Sequence, residues 1–141
     1  MNFELTDDQQ AIKRTAKEFL AARYKPEAVR ELAESDHGAS DEQWRQVAEL
    51  GWPGVIVPED DGGLGLGAVE LVVIQEEMGY ALAPSPLFSS VSAALLLVAA
   101  GSDEHRVKWL GPLARGERRG TVAVWDASAG WAPDHSEVKP A

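Results

Sequence analysis

The chain contains no cysteine among its 141 residues, which excludes a disulfide framework and any thiolate metal site. It also lacks a long hydrophobic run. The longest, Ala93 to Ala100, is far short of the ~20 residues that span a bilayer. Met1-Asn2-Phe3-Glu4-Leu5 supplies neither a basic segment nor an apolar one, so no secretory signal is expected and the protein reads as soluble and cytoplasmic. Positive charge is scarce. Against 23 Asp and Glu stand 13 Lys and Arg, a net charge of −10, and no Lys or Arg lies between Gly51 and Ala100. That balance excludes nucleic acid, whose phosphates need a basic surface, and argues equally against an anionic membrane.

The signatures of common chemistries are missing too. His37, His105 and His135 are scattered, with no metal-ligand spacing. Gly62-Gly63-Leu64-Gly65-Leu66-Gly67 lacks both the GxGxxG fingerprint and the lysine of a Walker loop. It precedes a helix start, whose free N–H groups could meet an anion, but a tight turn needing positive φ is the simpler reading. Glu76 and Glu77 are adjacent on a helical pattern, so they point ~100° apart and share no catalytic site.

What is present is helical patterning, and 45% hydrophobic residues suffice for a packed core. Thr6-Asp7-Asp8-Gln9 has the form of a capping box, followed by Ile12, Ala16, Phe19 and Leu20 at helical spacing. A second helix can begin at Pro26 and run towards Glu34. Ser40 caps a third that carries Trp44, Val47 and Ala48, and Gly51 can end it in the left-handed conformation. Trp52 to Pro58, punctuated by Pro and Gly, is expected to be a buried extended segment. Ala68 to Ala81 carries Leu71, Ile74 and Met78 on one face. Leu87 to Ala100 is so uniformly apolar or small that burial on several sides is expected. Ser102 then opens a helix with Val107, Leu110 and Leu113. Trp44 and Trp109 fall on helical stripes and are expected in the core. Thr121-Val122-Ala123-Val124-Trp125 is the one strand signal, and a lone strand makes no stable sheet. Trp125 and Trp131, in and after it, could stack on a planar ligand or fill an interface.

Several stretches together resemble the acyl-CoA dehydrogenase family. They are Phe3 to Gln10; Leu50-Gly51-Trp52; Val57-Pro58-Glu59-Asp60-Asp61-Gly62-Gly63-Leu64-Gly65; Gln75-Glu76-Glu77-Met78-Gly79; Ala81-Leu82-Ala83-Pro84; Ala100 to Glu104; and Lys108 to Glu117. The similarity runs nearly the length of the chain. It implies an all-α N-terminal bundle of about six helices over residues 1–118, and one trailing strand that opens an incomplete β domain over residues 119–141.

The resemblance further implies an FAD-dependent oxidation of an acyl-CoA thioester to the trans-2-enoyl-CoA. In the family a carboxylate of the C-terminal domain removes the α-proton, so no catalytic base is expected among these residues. The chain alone is expected to be inactive and to retain little FAD. An electron-transfer flavoprotein or similar acceptor and the other subunits of a dimer or tetramer are the implied partners. Acyl-pocket positions fall on Ser85, Phe88 and Ser92, whose other reading is ordinary helix packing. Positions that touch the flavin through a Thr and a Ser in the family fall on Trp125 and Trp131, where backbone groups of Trp125 or Ala127 would have to serve instead. A Trp after the strand resembles a divergent bacterial branch, in which some members form mixed assemblies. A structural or weakly FAD-binding subunit of a hetero-oligomer is therefore the alternative. The acyl substrate is not legible.

Overall fold

The computed structural model describes residues 4–123. Within them are six α-helices: α1 (Asp7–Arg23), α2 (Pro26–Glu34), α3 (Asp41–Glu49), α4 (Ala68–Tyr80), α5 (Leu87–Ala100) and α6 (Asp103–Ala114). Two short 3-10 turns, Trp52–Gly54 and Glu59–Asp61, lie between α3 and α4. The strand expected from Thr121 is not seen as far as Ala123, and its remainder lies outside the described residues.

The caps form where the sequence places them. Gln9 N–H donates to Thr6 Oγ1 at 3.3 Å and Thr6 N–H to Gln9 Oε1 at 3.0 Å, which closes the capping box of α1. Ser40 Oγ accepts from Gln43 N–H, and Ser102 Oγ from His105 N–H, each at 3.3 Å. Gly51 ends α3 at φ +76, a conformation that costs a side chain about 1 kcal/mol or more.

The core has two parts. The larger joins α1, α3, α4 and the start of α5 through Ala16, Leu20, Trp44, Val47, Ile74 and Val91. The smaller joins α5 to α6 through Ala94, Leu110 and Leu113. Full burial of each such Leu or Val stabilises the fold by about 1.5–3 kcal/mol. Between the two lies residues 52–66. Val55 is buried in the larger cluster and Val57 in the smaller.

This segment departs from expectation. It is buried, but it turns through 3-10 geometry rather than running extended, because Pro53 and Gly54 close a turn in which Val55 N–H donates to Trp52 O. The glycine run then doubles back over it. Leu64 N–H donates to Gly54 O, Leu66 N–H to Val55 O and Gly65 N–H to Val57 O, all at 2.8 Å. Gly62 and Gly65 hold φ of +85 and +61, which supports the tight-turn reading. Gly63 is required for another reason: a Cβ there would stand 2.1 Å from Val57 O.

Two further expectations fail at the surface. Trp109 is 40% exposed and Val107 84%, so α6 buries only Leu110, Leu113 and Ala114. Lys108 covers the indole, its Nζ 5.0 Å from the ring centre. Helix α5 is buried on one side only, through Leu87, Ser90, Val91 and Ala94, while Phe88, Leu95 and Leu96 face outward.

Substituting Gly63→Ala should cost about 2–3 kcal/mol by forcing the loop off Val57. Gly79→Ala, where a Cβ meets nothing within 4 Å, should instead gain about 0.5–1 kcal/mol. Urea unfolding of the two variants would check both signs. A pH effect is expected at Glu70, whose carboxylate is held below the usual range, first by the Gln9 side-chain amide and then by the Glu70 and Gly67 backbone N–H groups. A depressed folded pKa means the stabilisation is complete above about pH 4.3, the ordinary value, and fades as pH falls through the folded one. Glu70→Gln should therefore lower the urea midpoint at neutral pH, with the gap from the parent closing in acid.

Candidate functional site

The exposed side of α5 forms a ridge. Phe88 and Ser92 are separated by four residues, and Leu95, Leu96 and Ala99 continue the same side at helical spacing. Phe88 is 72% exposed, so its ring is not part of this domain's core. Ser92 Oγ donates to Phe88 O at 2.7 Å, which uses its only hydroxyl proton and leaves it able to accept but not to donate. Ser85 precedes the helix, and its Oγ accepts from Leu87 N–H at 3.3 Å. The three acyl-pocket positions read from the sequence thus lie at the start and along the outer side of one helix. Ser85 supports the helix start, while Phe88 and Ser92 form the ridge.

Ser90, which sequence reasoning missed, sits on the opposite side of α5. It is 1% exposed, and its Oγ accepts from Gly120 N–H at 3.2 Å. Gly120 comes close because it has no side chain: a Cβ would lie 2.7 Å from the Ala93 methyl. The available signal was weak: α5 carries three serines, Ser89, Ser90 and Ser92, and only the one that shares a side with Leu87, Val91 and Ala94 would be buried and need a partner.

Two more contacts hold the strap between α6 and Gly120. Trp44 Nε1 donates to Gly116 O at 2.8 Å, and Gly116 itself adopts φ +68. Arg119 pairs with Asp41 at the start of α3 and lies over the Trp44 ring. That pairing holds the Asp41 carboxyl below its usual range, mainly through the hydrogen bond from Arg119. The strap is therefore fastened to α3 and laid against α5.

The glycine loop offers no cradle for a flavin diphosphate. The amides of Gly63, Leu64, Gly65 and Leu66 all donate to carbonyls of residues 54–58. The Gly67 amide donates to Glu70 Oε2 at 2.9 Å. An anion is thus offered no open nest, and the phosphate-loop reading fails on this count. Among the described residues no cluster of His, Asp and Glu could hold a metal. Glu77, the buried carboxylate, has Lys13 Nζ at 3.6 Å. The flavin positions read from the sequence, Trp125, Ala127 and Trp131, lie outside the described residues. No described helix is long and apolar enough to cross a membrane.

Comparison with known proteins adds three findings. Residues 6–117 match the family model described as acyl-CoA dehydrogenase, N-terminal domain. The curated acyl-CoA dehydrogenase IpdE2 of Mycolicibacterium smegmatis is 32% identical over 119 residues, which are 84% of this chain and 37% of that protein. The chain thus spans little more than a third of the length of that relative. Among solved structures, the ChsE4-ChsE5 complex from Mycobacterium tuberculosis superposes with a TM-score of 0.80 at 31% identity, over 88% of this chain and 34% of that one. An acyl-CoA dehydrogenase complexed with FAD, from Bacillus anthracis, gives 0.80 at 25% identity, over 94% of this chain and 23% of that one.

Replacing Ser90 by Ala strands the Gly120 amide and should cost about 1–2 kcal/mol. Gly120→Ala should cost more, because the new methyl must displace the strap from Ala93. Thermal unfolding of both variants ranks them, and an unchanged melting temperature for Gly120→Ala would disprove the close seating of the strap.

Proposed function

Because the chain belongs to the acyl-CoA dehydrogenase family, we propose that it is the N-terminal helical part of an FAD-dependent enzyme that oxidises an acyl-CoA thioester to the trans-2-enoyl-CoA. The observation that carries this reading is the outward ridge of α5. A large aromatic ring is left without a core on a helix whose other side is well packed. Burying a Phe side chain is worth about 1.5–3 kcal/mol, so this exposure suits a surface that something else covers. In the proposed enzyme Phe88 forms an apolar wall for the acyl chain. Ser92, able only to accept, adds no donor that would need a polar partner on the substrate. Ser85 and Ser90 are positioning residues, one for the start of the helix and one for the strap.

The chemistry itself belongs elsewhere in the protein. FAD, when bound, supplies the acceptor for the β-hydride. No described carboxylate is offered as the base for the α-proton, and Glu77 is already paired with Lys13. The FAD, an acyl-CoA and an acceptor such as an electron-transfer flavoprotein would meet at a site to which this domain contributes a wall.

A second reading is a supporting subunit that binds FAD weakly within a hetero-oligomer. It is favoured by the two-component ChsE4-ChsE5 assembly among the structural relatives, and by Trp125 and Trp131 at positions where the family resemblance implies hydroxyl side chains.

The 141-residue chain expressed alone should be colourless and should not reduce an artificial electron acceptor with acyl-CoA. The whole protein, or its complex with a partner subunit, should be yellow and active. There Phe88→Ala should lower kcat/KM by about tenfold through lost contact with the acyl chain. Acyl-CoA-dependent dye reduction with substrates of graded length measures this. An unchanged specificity profile would remove Phe88 from the acyl wall, and a yellow, active 141-residue chain would overturn the assignment of the chemistry to residues outside it.

A further inference from the structure

A second surface, away from the α5 ridge, has its own chemistry. Between the C-terminal half of α1, the start of α2 and the end of α4 lies a groove of about 450 Å³, within the size range of small-molecule sites. It exists because α2 packs loosely. None of the residues of α2 is buried, although Val29 and Leu32 lean on the core. Leu20 and Val29 give the groove an apolar floor, and the exposed Leu82 forms one edge.

Three cations stand round this groove: Lys17 on α1, Lys25 before α2 and Arg30 within it. All are exposed, and none has an ion pair among the described residues. In a chain with 23 acidic residues partners are plentiful. Lys13, Arg45, Arg106, Arg115 and Arg119 have them, whereas Arg14, Arg23, Lys108 and Arg118 show no ion pair among the described residues either. What sets Lys17, Lys25 and Arg30 apart is that the three surround one apolar groove. Tyr24 also lines the groove. It is 5% exposed, and its hydroxyl has no hydrogen-bond partner among the described residues. Burial pushes its ionisation above the usual phenol value, so the group remains a donor. The hydroxyl is not among the wholly buried atoms that lack a partner, so it reaches solvent, and a ligand oxygen in the groove can accept from it in place of water. The one carboxylate in the lining, Glu77, is tied to Lys13.

We propose that this groove binds a small amphiphile, an apolar chain or ring body carrying one carboxylate-type anionic head. The apolar body lies on Leu20 and Val29. The head sits at the rim among Lys17, Lys25 and Arg30, and an oxygen of the ligand accepts from Tyr24. Glu77 sets the polarity, because an anionic head turned inward would approach its carboxylate. This inference is independent of the acyl-CoA reading, which concerns the other side of the domain.

The test is a titration of the full chain with decanoate and with decanol, followed by amide chemical shifts. Decanoate should saturate with shifts centred on Tyr24, Val29 and Leu82. Decanol should bind the same place about tenfold more weakly, a difference of about 1.4 kcal/mol. The triple variant Lys17→Ala, Lys25→Ala, Arg30→Ala lies wholly on the surface, so its fold should be kept. It should weaken decanoate about tenfold and leave decanol unchanged. Val29→Trp should block both. Equal affinity for the two ligands, shifts centred elsewhere, or decanoate binding retained in the triple variant would each overturn the proposal. So would groove shifts on dilution without ligand, which would mean a second copy occupies it, or displacement of decanoate by an acidic peptide that binds more tightly.

Discussion

The hydrogen bonds by which the glycine loop folds back on residues 54–58 are the constraint on which the rest of the domain depends. Val55 and Val57 are two positions apart, yet they enter different core clusters. The backbone between them must therefore be threaded through the middle of the bundle, where every polar group needs a partner. The loop supplies those partners at Gly54, Val55, Val57 and Pro58. It can lie close enough only because Gly63 presents no side chain to Val57. The closest approach on the other side is Gly54, where a Cβ would stand 2.9 Å from Ala114 O. Helices α1 and α4 on one side and α5 and α6 on the other are thus fastened to one irregular strip. The pair Arg106–Asp61, at 2.6 Å, ties α6 to the second turn of that strip, and its partial burial shields it more than a surface pair.

The same loop settles a question of chemistry. A run of four glycines ahead of a helix offers backbone amides, and amides bind anions when they are free. Here they are not free. Their use in the fold removes them from any phosphate site, so a motif that resembles a nucleotide loop in composition acts as a fastening. Composition could propose either role. Only the destination of each N–H distinguishes them, and that is a tertiary property.

This explains which parts of the domain were legible in the sequence. Helix starts at Thr6, Ser40 and Ser102 and the stop at Gly51 were readable because a cap is a local hydrogen bond between residues a few positions apart. The course of residues 52–58 was not, since an apolar run bounded by Pro and Gly fits an extended strip or a 3-10 turn equally well. Trp109 and Val107 misled because periodicity finds the stripe of a helix but not its width. Helix α6 is short of neighbours on that side, and Lys108 covers the indole instead. At the candidate site, the family resemblance picked out Phe88 and Ser92, and their four-residue spacing puts them on one side of one helix. Ser90 could not be assigned, because its partner Gly120 is 30 positions away and glycine carries no pattern.

The arrangement of α5 has a functional consequence. Its outer side carries the ridge at Phe88, and its inner side carries the hydroxyl that receives the strap. The two are separated by less than one helical turn, so a displacement of the helix moves both together. Three contacts from two helices hold the strap: Trp44 with Gly116 and Asp41 with Arg119 from α3, and Ser90 with Gly120 from α5. Of these the ion pair is the most exposed and contributes least, since solvent screens it. The two bonds to backbone groups are more sheltered, and Ser90 is wholly buried. Direction is therefore set by neutral hydrogen bonds and by glycine contacts rather than by charge. A change of ionic strength should then leave the strap seated across α5.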